Sequence, residues 1–246
     1  MNSALPSISI WSLLVAFIPV LLLIAVMQRW RLVAREALYA SGRMLVQLLL
    51  VGYVLTFVFE TEQPMVVGAV FVVMICAASW IAMRPIPRRG PQIYLIVLVA
   101  VGANGLAMLA LVTQVVLDLP RWFEPRFVIP LAGMIFANTM NTVSLAAERF
   151  ESERRHQENL DTARRTALEA ALIPQINALL AVGLVSLPGM MTGQILSGID
   201  PMVAVRYQIM VMCMVFGSGG LGAATYLALL PRVLSAAANH REDSYG

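Results

Sequence analysis

Amide and hydroxyl side chains interrupt two apolar stretches in the second half of the chain, and they are the residues best suited to binding a solute. Asn138 and Asn141 lie in the first stretch, and Asn177 and Ser186 lie in the second. Their oxygens can ligate a hard cation or hydrogen-bond an organic solute. Such groups are costly in hydrocarbon unless they face a cavity or another helix. The sequence therefore predicts that these four residues line a transport path, with hydrogen bonding between helices as an alternative of equal weight.

The basic residues exclude several chemistries, because all 17 of them are arginine and the chain contains no lysine. A P-loop needs a lysine that reaches the β- and γ-phosphates, and a retinal pigment needs a lysine for its Schiff base. The two cysteines, Cys76 and Cys213, lack the spacing of a disulfide framework or a zinc site. We therefore expect no enzyme activity, no ATPase site and no bound cofactor in this chain, and the sequence identifies no metal ligands.

A G-x-G-x-x-G string at Gly217, Gly219 and Gly222 would mark a dinucleotide site if it followed a β-strand. It lies instead in the middle of an apolar stretch, where small residues allow membrane helices to pack closely. The string is therefore predicted to be a helix-packing surface.

The elements that would position these residues are membrane-spanning helices. Apolar residues make up 59% of the chain and charged residues 13%, and the mean hydropathy is +0.79. A helix needs about 20 apolar residues to cross a bilayer. Seven stretches meet this length: residues 8–27, 38–59, 65–83, 92–117, 127–147, 170–191 and 205–230. The predicted fold is all-α, a polytopic membrane protein of about seven helices that form one transmembrane domain, residues 1–246.

The sixth of these stretches contains Pro174 and Pro188 near its two ends. Proline interrupts helical hydrogen bonding, and membrane helices tolerate such interruptions. Unwound backbone at residues 186–189 would expose carbonyls that could coordinate a cation, as half-helix ends do in carriers. A plain kink is the alternative.

Arginines are distributed unevenly between the segments that connect these stretches. Alternate connections contain 14 of the 17 arginines, and the others contain only Arg121, Arg126 and Arg206. Cytoplasmic segments retain basic residues, so the alternation predicts an N-terminus outside and a C-terminus in the cytoplasm. The same rule explains the net charge of +3 without a nucleic-acid partner. Asp200 and Arg206 are predicted to mark the outer mouth of the path, or to pair with each other.

The longest polar connection, residues 148–169, is predicted to be a cytoplasmic coupling segment within the domain. Glu151 and Arg155 are spaced four residues apart and could pair along a helix, as could Asp161 and Arg165. The predicted docking surface for a partner consists of Glu151, Arg154 and Arg155. The alternative is a solvated extension of the two flanking helices.

The late part of the chain closely resembles a known family of permeases. Residues 182–201 read VGLVSLPGMMTGQILSGIDP, and residues 204–210 continue with AVRYQIM. Earlier matching positions are residues 46–54, Gly133, Met134, Ile135, Asn138, Met140, Asn141, Ser144 and Leu145. On these residues the chain resembles the FetB family of ABC-type permeases over most of its length.

The resemblance implies an iron-exporting permease of the inner membrane that pairs with a separate ATP-binding subunit, and it extends to plant relatives tied to aluminium tolerance. ATP and Mg²⁺ would bind that subunit. Symmetric pairing is the commonest assembly, so a homodimer in the lipid membrane is expected. Family members have a longer loop here, whereas residues 156–168 contain no glycine, and Ala137 stands where the family has glycine. Coupling through a compact helix at residues 151–168 and weak engagement of the ATPase are both left open.

Two other functions remain open. A self-sufficient channel or secondary carrier would move its solute without ATP. The seven stretches contain no Asp or Glu near their centres, which counts against a proton-coupled carrier. A permease for an organic solute, such as a nucleotide sugar, would use the same asparagine and serine chemistry as a metal exporter.

Overall fold

The computed structural model describes residues 9–60, 63–87, 90–155 and 159–242, so residues 156–158 of the short loop lie outside the described part of the chain. The described residues form helices and no strands, which confirms the all-α prediction. The helices are α1 Ile10–Val15, α2 Ile18–Arg29, α3 Ala34–Glu60, α4 Pro64–Ala82, α5 Pro91–Ala110, α6 Pro125–Arg154, α7 Leu160–Ala181, α8 Gly189–Leu196 and α9 Pro201–Glu242. A π-helical turn, Leu111–Val116, continues α5.

The starts of these helices follow from local sequence. Helices α4, α5 and α6 each begin at a proline, whose fixed φ suits the first helical turn and whose missing N–H has no helical partner there. Asn159 caps α7, because its side-chain oxygen accepts the N–H groups of Asp161 and Thr162. Long apolar runs then continue each helix.

Six apolar helical segments in the described part of the chain are long enough to cross a membrane. They are Ile10–Arg29, Ala34–Glu60, Pro64–Ala82, Pro91–Val116, Pro125–Arg154 and Pro201–Pro231. These segments correspond to the predicted stretches one to five and seven, and the chain is a multi-pass membrane protein. The predicted sixth stretch, residues 170–191, is not one continuous helix, so the predicted count of seven is corrected to six continuous spans.

The sixth stretch is broken in its middle. Helix α7 ends at Ala181, and α8 begins at Gly189. Between them Gly183 has a φ of +82°, a backbone conformation that favours glycine, and its N–H donates to the Ser186 carbonyl at 2.9 Å. The break is therefore a tight turn rather than a plain kink, and it includes most of the backbone predicted to unwind.

The chain divides into two compact units, Met1–Thr61 and Glu62–Gly246. Within the first unit α2 packs against α3. Many apolar side chains of α3 are exposed, including Leu48 and Tyr53. Apolar side chains are favourable on the outside of a helix that crosses hydrocarbon, so this composition fits a membrane span.

In the second unit α6 is the central helix and packs against α4, α5, α7 and α9. Phe127 near the start of α6 and Val203 near the start of α9 line one cavity. Farther along the same two helices, the Asn138 side chain is hydrogen-bonded to Val215. Helices α6 and α9 therefore run in the same direction.

Helix α7 runs in the opposite direction. Its first residue, Leu160, lies beside Pro231 of α9, and Gln175 reaches Asn138 in the middle of α6. Gln194 of α8 then lines the cavity at the start of α6. The segment made of α7, the turn and α8 thus returns the chain across the bundle, and this broken segment takes the place of the predicted sixth span.

The arginines of the second unit collect at one end. The Arg-rich end, where α4 and α6 finish and α7 begins, contains the described residues Arg84, Arg149, Arg154, Arg155, Arg164 and Arg165. The Arg-poor end, where α6 and α9 begin, contains Arg121, Arg126 and Arg206. The two predicted sets of arginines are therefore separated in space within this unit, and which end faces the cytoplasm stays a prediction.

Candidate transport site

A network of amide, hydroxyl and carbonyl groups joins α6, α7 and α9 near the middle of the bundle. Asn138 Nδ2 donates to the Val215 carbonyl at 2.6 Å. Gln175 Nε2 donates to Asn138 Oδ1 at 2.7 Å and to Thr142 Oγ1 at 3.1 Å. The Thr142 hydroxyl in turn donates to the Asn138 carbonyl at 2.9 Å. We call Asn138, Thr142, Gln175 and Val215 the polar cluster.

The depth of the polar cluster follows from its place along two long helices. Asn138 lies near the middle of Pro125–Arg154, and Val215 lies near the middle of Pro201–Pro231. Both segments are long enough to cross the hydrocarbon core. The polar cluster therefore sits at mid-depth, where unpaired polar groups would be most costly.

Gly219 allows α9 to approach the polar cluster closely. A Cβ atom at this position would lie 2.5 Å from Asn138 Nδ2 and 2.8 Å from Thr142 Oγ1. Real Cβ atoms do not tolerate such distances, so a larger residue would displace the side chains of the cluster. Glycine is needed here to bring α9 against α6.

Gly222, one turn later, makes a second close approach. A Cβ atom there would collide with Thr139 Cγ2 and would lie 3.2 Å from the Ala100 carbonyl of α5. At Gly217 a Cβ atom would lie 2.9 Å from Met108 Cε, also on α5. These contacts confirm the prediction that the glycine string is a helix-packing surface.

The structure brings only one of the four predicted path residues into the polar cluster, namely Asn138. Asn141 and Asn177 are exposed, and Ser186 is exposed in the turn between α7 and α8. Their side chains form no hydrogen bond with another described residue. The four side chains therefore do not form one site, and a path role for these three stays a prediction.

Gln175 and Thr142 were not among the predicted path residues, although the sequence contains a signal for each. Ala163, Ala167 and Ala171 are completely buried in the packing face of α7. One further step of four residues along that face reaches Gln175. Thr142 is likewise four residues after Asn138, whereas the predicted partner Asn141 is only three residues after it and points outward.

Glu151 does not lie on the surface, contrary to the predicted docking role. It is only 8% exposed, and its carboxylate pairs with Arg154 at 3.0 Å rather than with Arg155. The physical reason is that α6 remains packed in the bundle up to this point, with Phe150 completely buried beside Glu151. Arg155 is exposed and Arg154 is partly exposed, so these two can still contact a partner.

Besides Glu148, Arg149 and Arg155, exposed charges at the Arg-rich end lie on the first turns of α7. Asp161 pairs with Arg164 at 3.1 Å, and not with Arg165 as predicted. Arg165 pairs instead with Glu169 at 3.0 Å, and their side chains are 83% and 65% exposed. Exposed ion pairs contribute little to folding, so these charges are available to a partner.

Asp200 and Arg206 lie at the Arg-poor end, as their predicted place at one mouth of the path requires, and both are exposed. Asp200 caps α9, because its Oδ1 atom accepts the N–H groups of Met202 at 2.8 Å and Val203 at 3.3 Å. In the described part of the chain the two residues form no ion pair with each other. Their role at the mouth stays a prediction.

The polar cluster offers neutral oxygen ligands. Among the residues that the structure describes, no three His, Cys, Asp or Glu side chains are grouped as a metal site would require. The available oxygens are Asn138 Oδ1, Thr142 Oγ1 and the Val215 carbonyl, a set that suits a hard cation or a hydrogen-bonding solute. Each of these oxygens already accepts an N–H group. A solute must therefore displace protein donors, above all the Gln175 amide.

Residues 10–234 match the family described as "Uncharacterised protein family (UPF0014)". The "UPF0014 membrane protein slr1647" of Synechocystis sp. is 35% identical, over 80% of this chain and 82% of its own. The "Probable iron export permease protein FetB" of Escherichia coli is also 35% identical, over 76% of each chain. "Protein ALUMINUM SENSITIVE 3" of Arabidopsis thaliana is 30% identical, over 77% of this chain and 74% of its own. No solved structure matches the chain.

Proposed function

This chain belongs to the UPF0014 family of membrane proteins, and on that premise we propose that it is the permease subunit of an ABC transporter. The proposed substrate is iron or a related metal cation, because a 35% identical relative is named a probable iron export permease. Energy would come from ATP and Mg²⁺ bound to a separate subunit. In this proposal the protein is a homodimer in the inner membrane, with its N-terminus outside and its Arg-rich end in the cytoplasm.

The observation that carries the proposal is the polar cluster at mid-depth. Three neutral oxygens and the Gln175 amide meet where α6, α7 and α9 pack together. Polar side chains are costly at that depth unless they face another helix or a solute path, and the proposal assigns this cluster to the path. Such a site supports passage of a cation that exchanges water for protein oxygens.

The mechanism proposed for this site is movement of α7. In this mechanism the site is closed while Gln175 donates to Asn138 Oδ1 and Thr142 Oγ1. The break after Ala181 lets α7 move without carrying α8 with it. Helix α7 also carries the exposed pair Arg165 and Glu169 at the Arg-rich end. A partner that shifts α7 would therefore withdraw Gln175 and free the oxygens for the cation.

The docking surface for the ATP-binding subunit is proposed to be the exposed face of α7 together with Arg155. A hollow lined by Asn159, Leu160, Asp161, Arg164 and Pro231 adjoins this face. Glu151 is left out of this proposed surface because it is buried, and in this proposal its pair with Arg154 holds the last turn of α6 in place. We therefore propose coupling through the compact segment at residues 151–168 rather than weak engagement of the ATPase.

Reversing the exposed charge of Arg165 is expected to weaken binding of the ATP-binding subunit by about tenfold or more, because like charges at an interface repel. A pull-down of that subunit with Arg165→Glu measures the effect. Arg206→Glu, an equal reversal at the Arg-poor end, is the matched control and should bind normally.

A double variant separates docking from helix stability. Arg165→Glu combined with Glu169→Arg restores an ion pair of the same spacing on α7. If the double variant binds the subunit as weakly as Arg165→Glu, the charge arrangement itself is recognised. Full recovery of binding in the double variant would instead assign Arg165 a purely structural role.

The overall function is tested by iron flux in proteoliposomes that contain this chain, with and without the co-purified ATP-binding subunit. We expect iron movement only when the subunit and ATP are both present. Iron flux without ATP would show that the protein acts as a channel and would contradict the ABC-transporter proposal. If iron does not move in either condition but an organic solute moves with ATP, the protein is still a permease and the proposed metal substrate is wrong.

A further inference from the structure

A cavity of about 560 Å³ opens at the Arg-poor end, away from the polar cluster. It lies between the first three turns of α6, the short helix α8 and the first turns of α9. Its walls are mainly apolar, and they include the methionines Met134, Met190 and Met210, one from each helix. Apolar walls of this kind favour the hydrocarbon part of a ligand.

Two polar groups in the cavity wall have no partner among the described residues. Arg126 is exposed in the first turn of α6, at the mouth of the cavity, and forms no ion pair with a described residue. Gln194 Oε1 is buried and accepts no hydrogen bond. A guanidinium at the mouth of an apolar cavity is placed to bind an anion, and a buried unpaired amide oxygen calls for a hydroxyl or N–H donor.

We propose that this cavity binds an anionic phospholipid with a hydroxyl-bearing headgroup, of the phosphatidylglycerol type. The acyl chain would lie along Met134 and Met210, and the phosphate would accept from Arg126. A headgroup hydroxyl would donate to Gln194 Oε1. A guanidinium binds a phosphate group through charge-assisted hydrogen bonds of this kind.

The alternative ligand of a thioether-lined cavity is a soft metal such as Cu(I). Arg126 argues against it, because an unpaired positive charge in the wall repels a cation. The lipid would pair with the charge of Arg126, donate to the unpaired Gln194 oxygen and pack against the apolar wall. The metal would bind only the methionines.

Bound lipid would act on α8. Met190 and Gln194 are the α8 residues in the cavity wall, and α8 follows directly after the turn that separates it from α7. A lipid that bridges α8 to α6 and α9 would hold this short helix in place while α7 moves. Binding does not depend on the identity of the transported solute, so this site stands apart from the proposed function.

The test measures the lipid affinity of the purified full chain in detergent, by thermal stabilisation during titration with each lipid. The wild-type protein should bind phosphatidylglycerol about tenfold more tightly than phosphatidylcholine, since one charge-assisted contact is at stake. Arg126→Gln should reduce the affinity for phosphatidylglycerol to that for phosphatidylcholine. Arg206→Gln removes an equal charge at the same end outside the cavity and should leave the affinity unchanged.

A second comparison tests the headgroup hydroxyl. Phosphatidylmethanol has the same charge as phosphatidylglycerol but no hydroxyl, so the wild-type protein should bind it more weakly. Gln194→Met should bind the two lipids equally. The proposal is overturned if Arg126→Gln binds phosphatidylglycerol like the wild type, or if Arg206→Gln loses as much affinity. It is also overturned if free glycerol phosphate stabilises the protein as strongly as the lipid, or if Cu(I) displaces the lipid.

Discussion

Replacing Gly222 by alanine is expected to destabilise the folded protein by about 1–3 kcal/mol, the usual cost of overpacking, although alanine is the better helix former. The added Cβ would collide with Thr139 Cγ2 and press on the Ala100 carbonyl. Thr139 is completely buried, and its hydroxyl donates to the Ile135 carbonyl at 2.8 Å, so it cannot turn aside freely. Thermal or denaturant unfolding in detergent micelles measures the loss.

Gly220→Ala is the matched control in the same helix. Its Cβ would lie 3.4 Å from Leu172 Cδ2, an ordinary contact, so the gain in helix propensity should leave stability unchanged or up to about 1 kcal/mol higher. Thr139→Ser removes the colliding methyl group and keeps the hydroxyl, so adding it to Gly222→Ala should recover part of the loss. Equal effects of the alanine at residues 220 and 222 would contradict the close approach of α9 to α6.

The spans were predictable because their signal is compositional. A stretch of about 20 apolar residues can do little else than cross a membrane, so α3, α4, α5, α6 and α9 fall close to their predicted positions. The sixth stretch failed as a continuous helix for a local reason. Composition does not reveal that Gly183 adopts a positive φ and turns the chain, although the prolines indicated a weakness nearby.

The site was less predictable because it depends on which face of each helix is buried. Asn138 and Asn141 are chemically equal in the sequence, and only the packing of α9 against α6 distinguishes them. The same holds for Glu151, a carboxylate that the sequence pattern assigned to solvent and the bundle buries. The spacing of Ala163, Ala167 and Ala171 marks the face of α7 on which Gln175 lies, but the sequence does not say which helix packs against that face.

Replacing Asn138 by leucine is expected to lower ATP-driven metal flux by at least about tenfold. Leucine is of similar size, but it removes the Oδ1 ligand and the donor to the Val215 carbonyl. Loss of one strong charge-assisted contact corresponds to a tenfold change or more. The flux assay in proteoliposomes, corrected for the amount of folded protein, measures the effect.

Asn141→Leu makes the same change on the exposed side of α6. It distinguishes a transport path through the polar cluster from a path along the exposed face of this helix. If the polar cluster is the path, flux through Asn141→Leu stays close to that of the wild type. An equal loss for both variants would place the path on the exposed face, as the sequence pattern allowed. Asn138→Leu also removes one hydrogen-bond partner from the Val215 carbonyl and one from Gln175 Nε2. This loss should lower the free energy of unfolding by about 1–3 kcal/mol, so unfolding of both variants is measured as well.

Asn138→Asp then distinguishes a cation from an organic solute. Aspartate keeps an oxygen where Gln175 now donates and adds a negative charge, but it loses the N–H donor. A metal cation should bind the variant more tightly than the wild type, because a carboxylate is the stronger ligand for a hard cation. An organic solute held by the amide should bind it more weakly, because one donor is lost and a charge is added. Asn138→Asp thus changes the affinity in opposite directions for a metal cation and an organic solute. Asn138→Leu should weaken the binding of both, so it cannot distinguish them.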